Sequence, residues 1–276
     1  MVNFDQAEGL RRMLFGAKPR FVTFLSALAN DEKNATLVNL AAGLGRLGND
    51  VVLLDARKNE PSSGPSVAWW LDKQIDATLL DVAQQKRTIQ QATITTSQGF
   101  KLASMSRCQH SKYASSDFQA SYSLMTKLNK VVEKLGNSVD IVLVDGELTE
   151  LNGLATAAFE DGEIVIQVTN QTDSIKTAYS LIKRAHQKYG RREYGLLVTG
   201  VNEFEAHRVY DAMAKAAGNF LSVPINFFGY VPQDDYLLRA SRSGRSVIEA
   251  FPAAGAAKAF SRLAEQLTEH HDYATS

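Results

Sequence analysis

Charge of one sign, cysteine and long apolar runs are what this chain has little of. Its 276 residues carry 30 Lys and Arg against 30 Asp and Glu. With no net field to draw nucleic acid or an anionic membrane, no nucleic-acid partner is expected, and any membrane association is weak or indirect. A single cysteine, Cys108, excludes an internal disulfide framework and fits a reducing compartment. No apolar run approaches the roughly 20 residues needed to cross a bilayer, and no signal-peptide pattern opens the chain, so a cytoplasmic protein is expected. The five histidines lack paired metal-ligand spacing, and His270 and His271 are neighbours in a polar stretch; no metal site is expected. No break in composition divides the chain, whose length suits one large α/β domain or two small ones.

What is there begins at Arg20. Phe21-Val22-Thr23-Phe24-Leu25 is a short apolar run suited to a strand buried on both faces. After the polar stretch Asn30 to Asn34, Leu37, Leu40, Ala41, Leu44 and Leu47 recur at the spacing of one helical face. Gly48-Asn49 supplies a left-handed stop, and Val51-Val52-Leu53-Leu54 is a second buried strand ending in Asp55. Strand, loop, helix and strand joined by a right-handed crossover make a parallel unit. In such a unit phosphates sit at the loop before the helix, where free N–H groups and the helix dipole converge.

That loop departs from the phosphate-cradling frame. The frame is G-x-x-x-x-G-K-[ST], in which glycines let the backbone wrap the phosphates and a hydroxyl reaches Mg²⁺. Here it reads Ala27-Leu28-Ala29-Asn30-Asp31-Glu32-Lys33-Asn34, with the lysine kept, both glycines lost and Asn34 at the hydroxyl position. Two unit charges ~4 Å apart at an effective dielectric of ~20 interact by about 4 kcal/mol, so Asp31 and Glu32 oppose a triphosphate. The same carboxylates suit the positive end of a helix, each stabilising by ~0.3–1 kcal/mol. The expectation is an anion site filled by the protein's own acidic side chains.

Ser26 to Ala41 resembles, without a gap, the S-G-K-G-G-V-G-K-T and N-L-A elements of the MinD/ParA-type P-loop ATPases, the latter kept as Asn39-Leu40-Ala41. The resemblance implies an α/β fold with a doubly wound, mostly parallel sheet flanked by helices. It also implies that Lys33 matches the phosphate-binding lysine and that Leu28 stands where the family has a lysine reaching across an ATP-sandwiched dimer. Arg57 stands where the family has an aspartate that orients the attacking water. Ile141-Val142-Leu143-Val144-Asp145 is a further buried strand with its carboxylate at the Mg²⁺-holding position. The family continues D-x-P-A-G, and this chain continues Gly146-Glu147-Leu148-Thr149. Asn202 matches the asparagine that reads adenine, and Phe227 to Asp234, with Pro232 and Asp234, resembles the last strand and adenine-side loop. The resemblance thus makes Lys33, Asn34, Asp55, Asp145, Asn202, Pro232 and Asp234 a vestigial nucleotide site; ATP or ADP with Mg²⁺ is the only cofactor the likeness suggests, and the altered loop argues against its binding. With Leu28 in place of the cross-dimer lysine, a monomer or a nucleotide-indifferent dimer is expected.

Ahead of the domain, Phe4, Ala7, Leu10 and Leu14 share a helical stripe. The plain alternative is a helix docked on the domain. The sharper one comes from likeness. Asp5-Gln6-Ala7-Glu8-Gly9-Leu10-Arg11 resembles the D-Q-A-x-x-L-R element of the FlhG (FleN) branch, MinD-like regulators of flagellar number and placement, where it binds and stimulates the GTPase FlhF. Asp5, Gln6, Ala7, Leu10 and Arg11 are accordingly partner-binding candidates, with Gly16 to Pro19 as a tether.

Further along, Pro61 to Pro65 is a turn-rich loop, Trp69-Trp70 is core or partner surface, and residues 104 to 117 are a surface loop. Phe118, Tyr122, Met125, Leu128, Val132 and Leu135 face a core from one helix. Further strands are expected at 164–169 and 196–199, and helices from Thr172 and over 205–217. A last helix packs Phe260, Leu263, Ala264 and Leu267 inward in place of a basic amphipathic membrane foot. The organisation expected is 1–19 as partner-binding helix and tether, 20–267 as the α/β domain and 268–276 as a polar tail. Three functions follow: an FlhG-like regulator without ATP turnover, acting on an FlhF-type GTPase and on flagellar switch or transcription components at the cell pole; a slow ATPase; or a localisation factor for pilus or cellulose secretion machinery.

Overall fold

In the computed structural model, residues 20–28, 30–57, 66–106, 118–148 and 154–275 are described. The Asp5 to Arg11 element, the tether, and the Pro61 to Pro65 loop lie outside them. In chain order the elements are β1 (Arg20–Ser26), α1 (Asn30–Arg46), β2 (Val51–Asp55), α2 (Val67–Trp70), α3 (Leu79–Ala83), β3 (Thr93–Thr95), β4 (Lys101–Ser104) and α4 (Phe118–Gly136). They continue with β5 (Ile141–Asp145), α5 (Ala157–Asp161), β6 (Glu163–Val168), α6 (Thr172–Tyr189), β7 (Tyr194–Thr199), α7 (Glu203–Leu221), β8 (Ile225–Val231), α8 (Asp235–Arg242), α9 (Val247–Ala250) and α10 (Gly255–Thr275).

The strands form one sheet in the order β3-β4-β2-β5-β1-β6-β7-β8. Every neighbouring pair is parallel except β3 with β4, which is antiparallel. This is the doubly wound, mostly parallel sheet that the resemblance implies. Its central strands β1, β2, β5 and β6 are apolar on both faces because a layer of helices covers each face. Register matters for function: Asp55 pairs with Asp145 and Phe24 with Asp145, so the carboxyl ends of β2, β5 and β1 finish level. In open α/β sheets that edge is where ligands sit.

α1 departs from the single buried face expected. Leu37, Leu40, Ala41 and Leu44 are buried, and so are Ala35, Val38, Asn39 and Ala42 on its other side, because α10 lies across that side. A Cβ on Gly43 would meet the Ala264 Cβ at 3.1 Å, and one on Gly45 would come within 2.5 Å of the Gly99 carbonyl. Asn39 ties the layers, donating to the Ala35 carbonyl (2.7 Å) and accepting from the Val247 amide (2.6 Å).

Several expectations need correction. Leu47 lies past the end of α1 and is exposed, because the chain turns there and reverses at Gly48 with φ +94°. Met125 points outward on α4, whereas Leu128, Val132 and Leu135 face the core. Ser104 closes β4 and Met105 is buried, so the loop after β4 begins later than expected. The tandem tryptophans split: Trp70 is buried and Trp69 is 69% exposed. The last helix, α10, continues to Thr275, and its Phe260, Leu263, Ala264 and Leu267 are buried against the domain as anticipated. No helix among the described residues is long and apolar enough to cross a membrane.

Candidate functional site

At the level carboxyl edge of β1, β2 and β5, four charged side chains meet out of water. Lys33, in the first turns of α1, places Nζ 2.5 Å from Oδ1 of Asp145. Arg57, two residues beyond the end of β2, places Nε 2.9 Å from Oδ2 of the same carboxylate and 3.4 Å from Oδ1 of Asp55. The Arg57 backbone amide also donates to Asp55 Oδ1 at 3.2 Å, which folds the chain back over the strand end. All four are nearly inaccessible: Lys33 and Arg57 at 5%, Asp55 at 1% and Asp145 at 0%. Burying four charges is costly, and the arrangement is tolerable because two cations and two carboxylates cancel within ion-pair distance. Burial pushes the Asp145 carboxyl above its ordinary value; Lys33 opposes this, Asp55 adds to it and Arg57 opposes it, with the upward direction prevailing.

Lys33, Asp55 and Asp145 are thus brought together, and Asn34 is buried in the same turn. Glu32 is exposed, which corrects its half of the expected anion site, and the carboxylate that engages Lys33 is Asp145; the Asp31 side chain lies outside what the structure describes. The reason is helical. Adjacent residues on α1 are rotated by about 100°, so turning Lys33 inward turns Glu32 out. Thr36 and Gln167 brace the start of the helix: Gln167 Nε2 donates to Thr36 Oγ1 (2.7 Å), which donates to the Glu32 carbonyl (3.1 Å). Sequence reasoning passed over Gln167, although one amide inside Ile164-Val165-Ile166-Gln167-Val168 was the signal. It also passed over the pairing of Arg57, whose signal was a cation two places after a strand-end aspartate.

The segment after β5 is anchored. The Gly146 amide donates to the Phe24 carbonyl (3.0 Å), and a Cβ on Gly146 would fall 2.5 Å from Thr23 Cγ2, so any side chain there must displace Thr23. Arg184 Nη2 donates to the Leu148 carbonyl at 2.8 Å.

Farther along the same edge, β7 and β8 deliver Asn202, Pro232 and Asp234. Asn202 caps α7: its Oδ1 accepts from the Glu205 amide (2.9 Å), and Glu205 answers on the Asn202 amide (3.3 Å). Asp234 starts two helices at once, accepting from the Tyr236 amide (2.8 Å) and the Ala256 amide (2.9 Å). The fold places these residues three and more strands from Asp145, with the polar groups of Asn202 and Asp234 engaged in helix starts. Asp5, Gln6, Ala7, Leu10 and Arg11 lie outside the described residues.

No family model matches the chain. It is 24% identical over 236 residues to the antiactivator FleN of Pseudomonas aeruginosa, covering 85% of this chain and 81% of that protein. Among solved structures, the cell-division protein MinD of Aquifex aeolicus superposes with a TM-score of 0.65 at 19% identity, over 91% of this chain and 97% of that one. A ParA-family ATPase of Chlorobium tepidum gives 0.64 at 15%, over 90% and 98%. This is a MinD/ParA fold. The likeness to the family and to its FleN branch, read first from the residues around Lys33 and before the tether, is borne out.

A MinD/ParA fold implies a magnesium-bound nucleotide, and the residues present do not fit one. A phosphate-binding lysine must offer its ammonium to the ligand, yet Lys33 is spent on Asp145. A metal-holding carboxylate must offer an oxygen, yet both oxygens of Asp145 carry a cation from the protein itself.

Proposed function

We propose that this chain is an FlhG/FleN-type regulator of flagellar number and placement that acts through protein contacts and not through ATP turnover. In this reading the MinD/ParA domain is a scaffold in the cytoplasm, recruited to the cell pole, and Asp5 to Arg11 engage an FlhF-type GTPase. Flagellar switch or transcription components are further partners. The observation that carries the reading is the closed ion-pair set of Lys33, Asp145, Arg57 and Asp55, which consumes the charges an ATPase of this fold would spend on its substrate. The flagellar assignment is supported by the similarity to FleN across most of the chain.

The test is GTP hydrolysis by an FlhF-type GTPase mixed with the full chain. Stimulation is expected, lost on Gln6→Ala and equal with and without Mg-ATP. Stimulation that requires Mg-ATP would refute the scaffold reading.

A second reading, a slow ATPase, has one observation in its favour: Lys33, Asp55 and Asp145 all remain at the edge where this fold does its chemistry. It predicts phosphate release by the purified chain that disappears in Asp145→Asn.

A further inference from the structure

The buried charges at this edge balance in a particular way. Asp55 and Asp145 lie opposite each other on adjacent parallel strands, which spaces the two strand ends by about 4.8 Å. Two carboxylates so placed form half of a divalent-cation site, because hard cations such as Mg²⁺ take carboxylate oxygens. Here the two compensating charges come from the chain: Arg57 lies between the carboxylates, and Lys33 takes the remaining oxygen of Asp145.

We propose that Arg57 is a built-in cation. Its guanidinium holds the position against Asp55 and Asp145 that a divalent metal ion would otherwise hold, and so it keeps the site closed to metal. This deepens the scaffold reading of the site and rests on it, but it does not depend on which partner the scaffold serves.

Three observations support the proposal. A guanidinium stays protonated at any physiological pH, so unlike a bound ion it neither dissociates nor titrates away. The Arg57 amide bond to Asp55 Oδ1 fixes the side chain's root beside the carboxylate, which makes the placement local to the turn after β2. Finally, among the described charges, a divalent ion added to these four would leave a double positive excess at a site where Asp145 has no exposure at all. Admitting a metal therefore requires expelling Arg57.

The test is Mn²⁺ binding to the full chain, read by the electron paramagnetic resonance of free Mn²⁺ and by the melting midpoint. Arg57→Gln keeps much of the side chain's length while removing its charge. It should bind Mn²⁺ at least tenfold more tightly than the unaltered protein, and millimolar Mn²⁺ should raise its midpoint by several degrees while leaving the unaltered protein's unchanged. Adding Asp145→Asn to Arg57→Gln should abolish the gain. A folded Arg57→Gln variant that binds no more Mn²⁺ than the parent would overturn the proposal, leaving Arg57 as an ordinary ion-pair partner. Should that variant not fold, the parent protein decides: Mn²⁺ bound to it and lost on Asp145→Asn overturns the proposal, and no such binding supports it. GTPase stimulation is read separately, so failure of the metal result and failure of the flagellar reading are told apart.

Discussion

Lys33 and Asp145 are 112 positions apart in the chain, yet their charged atoms meet at 2.5 Å with neither side chain open to solvent. The helix that carries Lys33 and the strand that ends in Asp145 are thereby locked at the edge where relatives of this fold meet their ligands.

Removing one member of a buried pair leaves the other uncompensated, at a cost of about 3–5 kcal/mol. Lys33→Met should therefore lower unfolding stability by that order in urea titrations. Adding Asp145→Asn should recover a large part of the loss, because the stranded carboxylate is gone. Equal stability of the single variant and the parent would show that the pair contributes nothing.

Tyr194 predicts a pH dependence. Its ring is buried, its hydroxyl has no hydrogen-bond partner among the described residues, and burial pushes its pKa up from 10.0 to about 12, with Arg192 opposing and Tyr189 adding. The native state thus holds this proton more tightly than the unfolded chain. The associated stability is complete below pH 10 and is lost as pH rises from 10 towards 12, an effect of the order of 2 kcal/mol. Tyr194→Phe should flatten that alkaline loss while leaving neutral stability equal or up to ~1 kcal/mol higher, since an unsatisfied hydroxyl is removed. Chemical denaturation at pH 7, 10 and 11.5 checks both parts.

Asp234 stands where the family resemblance puts a nucleotide contact, but its oxygens start α8 and α10. Asp234→Ala should cost about 1–2 kcal/mol in thermal or urea unfolding, the range of a lost helix cap. Asp234→Asn, which keeps one acceptor, should cost less.

Gly146→Ala would press a methyl group onto Thr23 Cγ2 and crowd the Phe24 carbonyl. Overpacking of this kind costs about 1–3 kcal/mol. Thr23→Ser removes the Cγ2, so the double variant should regain part of the loss. An additive result in a double-mutant cycle would show that the two sites do not touch.

How much could be read in advance differs by feature. The strands at Phe21, Val51, Ile141 and Ile164 were legible because apolar runs bounded by turn residues have few other solutions in water. The stop at Gly48 was legible because only glycine takes φ +94° without strain. Lys33, Asp55 and Asp145 could be picked out one by one from their places at element ends. Which charge meets which was not legible: Glu32 and Asp145 are both carboxylates, and only the rotation of α1 and the registry of β5 with β1 decide that Lys33 turns to the second. The exposure of Leu47 and Met125 was likewise hidden, since a periodic pattern marks a face without saying where its cover ends.

By itself, then, the order of residues determined a parallel α/β sheet with charged groups at its carboxyl edge, because hydrophobic periodicity and turn chemistry act over a few neighbouring positions. Only the tertiary structure decided that those charges neutralise one another. Ion pairing depends on distances across strands far apart in the chain, and the same assembly that brings Asp55, Asp145, Lys33 and Arg57 together also removes the water that would have screened them.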